Sequence, residues 1–433
     1  MQLLKFELRK ILLSKITILA FILLFGINIF NVAQHMVRSL PYNDYDKLQR
    51  RIEHVHAIAG EISEERMAEI EAERDAFIND PVNQMSEEEI YKLAKEDMDE
   101  FLQYAADNPD YYSEEDIAER SDISFWLMVY DRPESRMNEQ AKNSLEWERI
   151  TDQYRAMDDA YSQYERAAGW VDIPVEEDYN IPDNASEAVI AKWQQLHTEY
   201  MEQGEFIIDY NMGWGMFVES SHEHFAPMLG FIILIGIASL FAAEHANRTD
   251  ALILSSKHGK SKVIAAKILA GFCFTFAVWL IFEVVNAIII FSVHGLYGAD
   301  STWLNYGYAP YFITYMQAAL ITLGTTLLAA LYLSAIVMLV STLTKSRIAS
   351  LLIGTVLIMQ YTFPFLNFND VLTDMMPGSL MSSYYGILQN FSIYDLFGVA
   401  VPSTDVRITV MITISVICIV ISCIAFRRWQ VKN

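Results

Sequence analysis

The sequence predicts an all-α, polytopic membrane protein with six transmembrane helices and a largely helical acidic domain outside the membrane. Three observations support this fold class. Hydrophobic residues make up 53% of the chain and are concentrated in long runs. Residues 41–223 hold 46 of the 55 acidic side chains but only 15 of the 31 basic ones, a net charge of −31. The rest of the chain has a net charge of +7, so a polar acidic block interrupts a basic, apolar one.

Six apolar runs are long enough to cross a bilayer, which takes about 20 residues per helix. They are residues 16–37, 225–243, 268–293, 312–343, 348–369 and 408–426. The stretch 370–407 is broken by prolines and glycines, and we expect it to dip into the outer leaflet or lie on it. The predicted domains are therefore residues 1–37, the acidic block 38–224 and residues 225–433.

Lysine and arginine predict the orientation of these spans. They fall in four segments, 5–15, 248–267, 345–347 and 427–432, which share one side of the membrane if the chain crosses six times. The positive-inside rule makes that side the cytoplasm. We therefore expect a multi-pass protein of the cell membrane with both termini inside and residues 38–224 outside.

The three cysteines all fall in predicted spans, so we expect the exported block to lack disulfides, as in a bacterial, Gram-positive host.

The acidic block carries the signals of helices. The sequences SEEE at 86–89 and SEED at 113–116 have the spacing of capping boxes. Residues 138–168 form an amphipathic run that ends at Gly169, which predicts one long helix. Two interpretations of the acidic surface stay open: it keeps an exported domain soluble, or it attracts cations and basic peptides.

The segment 249–267 contains the letters GKS, the end of a phosphate-binding P-loop. A P-loop also requires a glycine five residues before the glycine of that motif, and it follows a buried strand. Here the earlier position is Leu254, and the preceding run 225–243 has the length of a membrane span. We therefore expect no nucleotide or other cofactor in this chain.

Two histidine pairs are the candidate metal ligands of the sequence, His54 with His56 and His222 with His224. Residues two apart share a face of a strand but not of a helix. A zinc or copper site would require both pairs to converge, so we expect no metal site.

The loop between the second and third spans resembles that of the ABC-2 type permeases, the membrane subunits of a class of ATP-driven exporters. In that family an acidic residue, a short coupling helix, a serine with basic residues and a lysine before the next span recur. Here Glu244, a segment at about 245–260, Lys262 and Lys267 occupy these positions. The resemblance implies these ATPase-coupling residues: Glu244, Arg248, Thr249, Asp250, Leu252, Ile253, Leu254, Ser255, Lys257 and Lys262.

Two further features carry the same resemblance. The sequence FELRKILLSK at 6–15 is similar to the family's amphipathic elbow helix, with Phe6, Glu7 and Lys10 as its site residues. Six spans with a broken outward segment before the last also match the family's layout. The resemblance covers residues 1–37 and 225–433, and most members lack an insert as large as 38–224.

The resemblance implies that the chain is not an enzyme by itself. ATP and Mg would be bound by a separate cytoplasmic ATPase subunit, and a second permease copy or a related permease would complete the pathway. The other expected partner is the lipid bilayer, and no nucleic acid is expected. Cargo would be a peptide, cationic or antimicrobial, or a lipid-like molecule. The alternative is a non-transporting sensor whose acidic domain binds a ligand.

Polar residues inside the predicted spans are candidates for a substrate pathway. Glu283 is an acidic residue well inside a span, and Asn286 follows one turn later. Ionisable groups at membrane depth are costly and are functional candidates for that reason. The alternative is that Glu283 makes a hydrogen bond between helices, for which the possible partners are Asn28, Asn31, Gln317 and Gln360.

Overall fold

Long apolar runs of the sequence form long helices in the computed structural model of the protein. The structure describes residues 2–39, 44–109, 111–172, 185–202, 204–246, 262–303, 311–360, 370–382, 384–389 and 391–428. Contacts divide the chain into two compact units. We call Met1–Leu48 with Gln163–Asn433 the bundle unit and Gln49–Ser162 the acidic unit. The acidic unit contains 31 acidic and 12 basic residues, and it lies within the predicted block 38–224, towards the start of that block.

The first half of the chain forms mostly short and medium helices. In chain order they are α1 Gln2–Leu12, α2 Lys15–Ser39, α3 Tyr45–His56, α4 Glu64–Asn79, α5 Glu87–Asp107, α6 Glu114–Arg120, α7 Ile123–Val129, α8 Glu139–Lys142, α9 Leu145–Asp172, α10 Glu187–Glu202 and α11 Met212–Val218. Two strands of two residues each, β1 Gly60–Glu61 and β2 Ile207–Ile208, lie between them.

The second half contains most of the apolar helices. They are α12 Ser220–Ile237, α13 Ala242–Ala246, α14 Lys262–His294, α15 Tyr315–Thr344, α16 Arg347–Met359, α17 Asp370–Asp374, α18 Pro377–Met381 and α19 Ser403–Arg427. A π-helical turn, Tyr384–Gln389, and an antiparallel hairpin, β3 Ile393–Leu396 with β4 Val399–Pro402, precede the last helix.

Five helical segments are long and apolar enough to cross a membrane: Lys15–Ser39, Phe225–Glu244, Lys262–His294, Tyr315–Thr344 and Ser403–Arg427. They correspond to five of the six predicted spans. In the place of the other, the structure describes only the apolar helix α16, which is 13 residues long. The remainder of that predicted span, residues 361–369, lies outside the described residues. The described chain therefore supports a multi-pass membrane protein, and the count of six stays a prediction.

Apolar side chains of the bundle unit form one large buried core. In it α12 packs along α2, α15 packs along α19, and α1 packs along α14. Many of the large exposed hydrophobic residues lie on α2, α14 and α19, where Ile22, Ile288 and Val416 are examples. Apolar side chains that face outward along helices of this length are typical of lipid-facing surfaces.

The predicted capping boxes of the acidic block are confirmed. Ser86 begins α5, where its hydroxyl accepts from the backbone N–H of Glu89, and the Glu89 carboxylate accepts from the Ser86 backbone. Ser113 and Asp116 make the same exchange at the start of α6. Each box satisfies donors that the first helical turn would otherwise leave without a partner.

The prediction of one helix over residues 138–168 is wrong at both ends. A short helix, α8, ends at Lys142, and α9 begins at Leu145, because the Ser144 hydroxyl accepts from the Trp147 backbone N–H at 3.1 Å and starts a new helix. At the other end α9 runs through Gly169 to Asp172. One glycine costs a helix only about 1 kcal/mol relative to alanine, which a helix of this length tolerates.

The described part of residues 370–407, the stretch predicted to dip into the outer leaflet or lie on it, belongs to the bundle unit, and its position in a membrane stays a prediction. Helix α18 packs against α12, α15 and α16, and its Leu380 and Met381 are fully buried. Gly378 permits this approach, since a Cβ there would lie 2.3 Å from the Ile358 carbonyl oxygen. The hairpin beyond it turns at Phe397 and Gly398, both with positive φ, so the all-α prediction omits this small β element.

Candidate functional site

Four charged side chains meet where α1, α13 and α14 come together. We call Glu7, Lys10, Glu244 and Lys267 the charged cluster. The Lys267 Nζ lies 3.0 Å from a Glu7 carboxylate oxygen and 2.7 Å from Glu244 Oε1. The Lys10 Nζ lies 3.3 Å from Oε1 of both carboxylates. Each ammonium therefore bridges the same two carboxylates.

The cluster is buried, and this distinguishes it from an ordinary surface ion pair. The side chains of Lys267, Glu7 and Glu244 are 1%, 3% and 6% exposed, whereas that of Lys10 is 44% exposed. Charges removed from water are stable only when they are paired. Helix α1 is thus joined to α13 and α14, whose cluster residues lie 234 and 260 positions away from their partners in α1, by charges that cannot separate without a large cost.

The sequence of α1 places its cluster residues by helical periodicity. Glu7 and Ile11, four residues apart, face the bundle and are buried, while Phe6 on the neighbouring face is exposed. Lys10 lies one turn after Glu7, which lets its long side chain reach the same carboxylate. The Lys10 ammonium also lies 4.7 Å from the centre of the Phe6 ring, a cation–π distance.

A break in the second apolar run completes the site. Helix α12 ends at Ile237, the chain turns through residues 238–241, and α13 begins at Ala242. The Ser341 hydroxyl donates to the Ala238 carbonyl at 2.9 Å and accepts from the Ala242 N–H at 3.2 Å. The Lys267 ammonium donates to the Leu240 carbonyl at 2.9 Å. The backbone groups that lose their helical partners at the break therefore bond to side chains of α14 and α15. Apolar surroundings require such partners, because no water is present to replace them.

A cavity of about 640 Å³ opens beside the charged cluster. The cluster residues form part of its wall, together with apolar groups and two serine hydroxyls. Its described lining residues are Phe6, Glu7, Lys10, Ile11, Ser14, Ser239, Leu240, Ala243, Glu244, Lys267 and Arg347. Arg347, the first residue of α16, brings a fourth helix to this site.

The candidate pathway residues lie farther along α14. Asn28 donates to the Asn286 side-chain oxygen at 2.8 Å, and both side chains are buried, so this bond joins α2 to α14. The interhelical hydrogen bond considered for Glu283 stays a prediction. Glu283 is buried one turn before Asn286, and Asn31 is half-buried on α2. Lys267 and Asn286 are separated by about 28 Å along the helix at 1.5 Å per residue. The pathway candidates and the charged cluster are therefore separate places on one helix.

A second ion pair, with a buried guanidinium, holds the folded segment that precedes α19. Arg407, near the start of α19, is 1% exposed, and its guanidinium donates to the Asp374 carboxylate of α17 at 2.9 Å. Gln360 donates to the Thr373 carbonyl at 3.0 Å and to the Ser379 hydroxyl at 2.9 Å. Residues 373–379 are thus fixed by polar contacts to two neighbouring segments.

Most of the predicted coupling residues lie outside the described residues: Arg248, Thr249, Asp250, Leu252, Ile253, Leu254, Ser255 and Lys257. Lys262 is described as the exposed first residue of α14. Of the predicted coupling and elbow positions, the structure brings Glu7, Lys10 and Glu244 together directly, and it places Phe6 beside them in the cavity wall.

The candidate metal ligands take ordinary positions. His54 Nδ1 lies 3.0 Å from an Asp152 carboxylate oxygen, within the acidic unit. His56 ends α3, two residues from His54, so the pair does not share a helix face. His222 and His224 belong to α12, and their side chains lie outside the described part. Over the residues that the structure describes, no group of three potential metal ligands occurs.

A comparison with models of protein families matches residues 1–432 to a family described as ABC-2 family transporter protein. The chain belongs to the ABC-2 transporter family. The match continues through residues 38–224, which the resemblance seen in the sequence left out. A search of curated proteins and a search of solved structures found no match to this ABC-2 chain.

Membership of the ABC-2 family makes the chain a membrane permease of an ABC transporter. Such permeases are transmembrane subunits that are generally non-catalytic, and the family implies a partner ABC ATPase. The apolar helices of the structure agree with this membrane role.

Two residues of this ABC-2 permease site were missed by sequence reasoning. Ser341 is one of several serines and threonines in an apolar run, and nothing in its neighbourhood signals that it pairs with a break about 100 residues earlier. Arg347 contributed only to the count of positive charges in its segment. Its place in the cavity wall depends on the packing of α16, which no local pattern encodes.

Proposed function

We propose that the chain is the permease subunit of an exporter, driven by a separate ATPase that docks beside the charged cluster. The observation that carries this proposal is that buried charges join α13 and α14 to each other and to α1. Helix α13 ends directly before the segment 247–261, and α14 begins directly after it. A force applied to that segment would reach Glu244 on one side and Lys267 on the other, and both are bonded to each other and to α1.

The physical mechanism is a rigid-body tilt. A short helix between two spans transmits movement only if its neighbours move with it, and coupled rotation of packed helices is a common form of transport transition. The charged cluster makes α1, α13 and α14 a single mechanical element. ATPase closure would therefore tilt α14 as a whole, including the Asn28–Asn286 contact about 28 Å away.

The proposed orientation places the charged cluster in the cytoplasm and the acidic unit outside. The support is the positive-inside distribution of lysine and arginine. Outward transport of a cationic or amphipathic peptide, or of a lipid-like molecule, follows as the proposed activity, since an acidic exterior attracts cations. The acidic unit would then receive or retain cargo as it leaves the membrane.

Docking is tested by replacing Leu252 and Ile253 together with aspartate and purifying the complex. An apolar anchor in a partner's pocket contributes about 2 kcal/mol or more, so the double variant should lose the ATPase while still inserting in the membrane. Lys260→Ala is the matched control and should keep its partner. Retention of the ATPase by the double variant would contradict docking at this segment.

Coupling is tested separately with Glu244→Gln. This change removes the charge but retains the size of the side chain, so it should weaken the cluster without changing the docking segment. We expect the ATPase to co-purify with the variant and to hydrolyse ATP, while transport falls. Transport at the unchanged rate would show that the cluster stabilises the fold and does not transmit movement.

Orientation and cargo require their own measurements. A cysteine at Ser144 should react with a membrane-impermeant maleimide in intact cells, whereas one at Ser261 should react only after the membrane is opened, in a background whose three native cysteines are replaced by alanine.

For cargo, cells without the permease should become more sensitive to cationic peptides and export less of them. Unchanged sensitivity and export would favour a lipid-like cargo.

A further inference from the structure

We propose that the cavity beside the charged cluster binds the phosphate headgroup of an anionic membrane phospholipid, with Arg347 as its principal ligand. This inference does not depend on the ATPase, because it rests on the lining of the cavity alone. The lining contains three cationic and two anionic side chains among the described residues. The described lining therefore has a formal charge of +1.

The one positive charge of the described lining that no described carboxylate compensates is that of Arg347. Lys10 and Lys267 both bridge the carboxylates of Glu7 and Glu244, so these four charges compensate one another. Arg347 is half-buried, and no ion pair or hydrogen bond joins its side chain to any residue that the structure describes. A cation that is partly removed from water and has no counterion among the described residues favours an anionic ligand.

The position of Arg347 on its helix strengthens this requirement. It is the first residue of α16, directly after the N-cap Ser346. The N-terminus of a helix already carries a partial positive charge, where an additional cation is unfavourable and an anion is favourable. A phosphate between the guanidinium and this end of the helix would relieve both effects, and guanidinium binds phosphate through two parallel hydrogen bonds.

The remaining walls fit the two ends of a phospholipid. The Ser14 and Ser239 hydroxyls are the neutral polar groups of the lining, and they suit the oxygens of a headgroup. Phe6 lines the same cavity and is 57% exposed, and Leu12, Leu13 and Ile16 nearby are also exposed. A volume of about 640 Å³ accommodates a headgroup, while the exposed apolar side chains provide the surroundings that acyl chains require.

The test measures lipid retention by the full-length chain in nanodiscs of phosphatidylcholine with a minor fraction of phosphatidylglycerol. Native mass spectrometry counts the phosphatidylglycerol molecules that remain bound. Arg347→Gln should lower the affinity for phosphatidylglycerol about tenfold, the size expected for loss of a charge-assisted contact to phosphate. Arg9→Gln is the matched control, because it removes one exposed positive charge of α1 that does not line the cavity. It should retain the lipid.

A second variant, Ala243→Leu, fills the cavity and leaves every charge in place. It should also lose the lipid, which separates binding in the cavity from general attraction of anionic lipids to a basic surface. Equal losses in Arg347→Gln and Arg9→Gln, or full retention in Ala243→Leu, would overturn the proposal. Millimolar inorganic phosphate should not displace the lipid, and displacement would mean that the site binds free phosphate instead.

Discussion

The bundle unit and the acidic unit use the same charged residue types in opposite ways. In the bundle unit, Lys267 is 1% exposed and lies within 3.0 Å of two buried carboxylates. In the acidic unit, Arg149 also bonds two carboxylates, those of Glu73 and Glu146, yet these acidic side chains are 50% and 57% exposed. Water and salt screen the second arrangement much more than the first. The few buried charges of the bundle unit therefore contribute more to the stability of their unit, per ion pair, than the many exposed charges of the acidic unit do.

This contrast has a functional consequence. Charges in the acidic unit are available to meet a ligand, because their surroundings already solvate them. Charges in the cluster are paired with one another, and any movement that separates them is opposed by the loss of their pairing. The first arrangement suits reversible attraction of cargo, and the second suits transmission of movement between helices.

The largest effect is expected for Lys267→Ala. This change leaves the buried carboxylates of Glu7 and Glu244 with Lys10 as their one remaining described cation, and loss of one partner from a buried ion pair costs about 3–5 kcal/mol. Thermal unfolding of the full chain in detergent should show a large decrease in Tm. Lys15→Ala, an exposed lysine at the start of α2, is the control. If both variants unfold at the same temperature, the cluster does not stabilise the bundle.

A smaller effect is expected at the start of α5. Ser86→Ala removes the hydroxyl that accepts from the Glu89 backbone, and loss of such a cap costs about 1 kcal/mol. Hydrogen exchange measured by mass spectrometry should become faster in the first turns of α5. Ser124→Ala removes a hydroxyl that bonds the Asp122 carboxylate at the start of α7 and does not cap α5, so the exchange of α5 should stay unchanged. An unchanged exchange rate in Ser86→Ala would mean that tertiary contacts alone hold this end of the helix.

The same capping box predicts a dependence on pH. The Ser86 backbone N–H and then its hydroxyl donate to the Glu89 carboxylate, and these bonds hold the pKa of Glu89 below its ordinary value of 4.5. A depressed pKa in the folded chain means that the contribution is present above 4.5 and is lost as the pH falls through the lowered value. Protection of the first turn of α5, corrected for intrinsic exchange rates, should therefore decrease in acid. Glu89→Gln should remove most of that decrease.

Some of these features can be predicted from the sequence alone. Capping boxes were readable because Ser86 and Glu89 are three residues apart, and the apolar runs were readable because membrane length is set by a physical thickness. The break after Ile237 could not be predicted from the sequence, because its backbone groups bond to the side chains of Ser341 and Lys267 on other helices. Resemblance identified Glu7, Glu244 and Lys267 one by one, but only the packing of α1 on α14 brings them together.

A fourth prediction concerns neutral polar contacts within the bundle unit. Asn28 and Asn286 share one buried hydrogen bond, and such bonds in membrane proteins contribute about 0.6 kcal/mol on average. A double-mutant cycle with Asn28→Ala and Asn286→Ala should give a coupling energy of that size from unfolding in detergent. Asn31→Ala combined with Asn286→Ala is the control, and no hydrogen bond joins this pair within the described chain. Equal coupling in both cycles would argue against a specific contact.

The smallest effect is expected where the acidic unit most resembles the charged cluster. Arg149 contacts two carboxylates and the Gln153 amide oxygen, yet partial exposure should reduce the cost of Arg149→Ala to about 0.5 kcal/mol. Salt at about 1 M shortens the screening length to about 3 Å and should remove part of this cost, because half-exposed pairs are screened. The cost of Lys267→Ala should hardly change with salt, since its pairs are buried. Lys92→Ala, which breaks a pair that is more than half exposed at 3.8 Å, should have no measurable effect. The opposite result would be a cost of Arg149→Ala that is as insensitive to salt as that of Lys267→Ala. Burial would then not distinguish the two units. The charges around Arg149 would stabilise the acidic unit as strongly as the charged cluster stabilises the bundle unit.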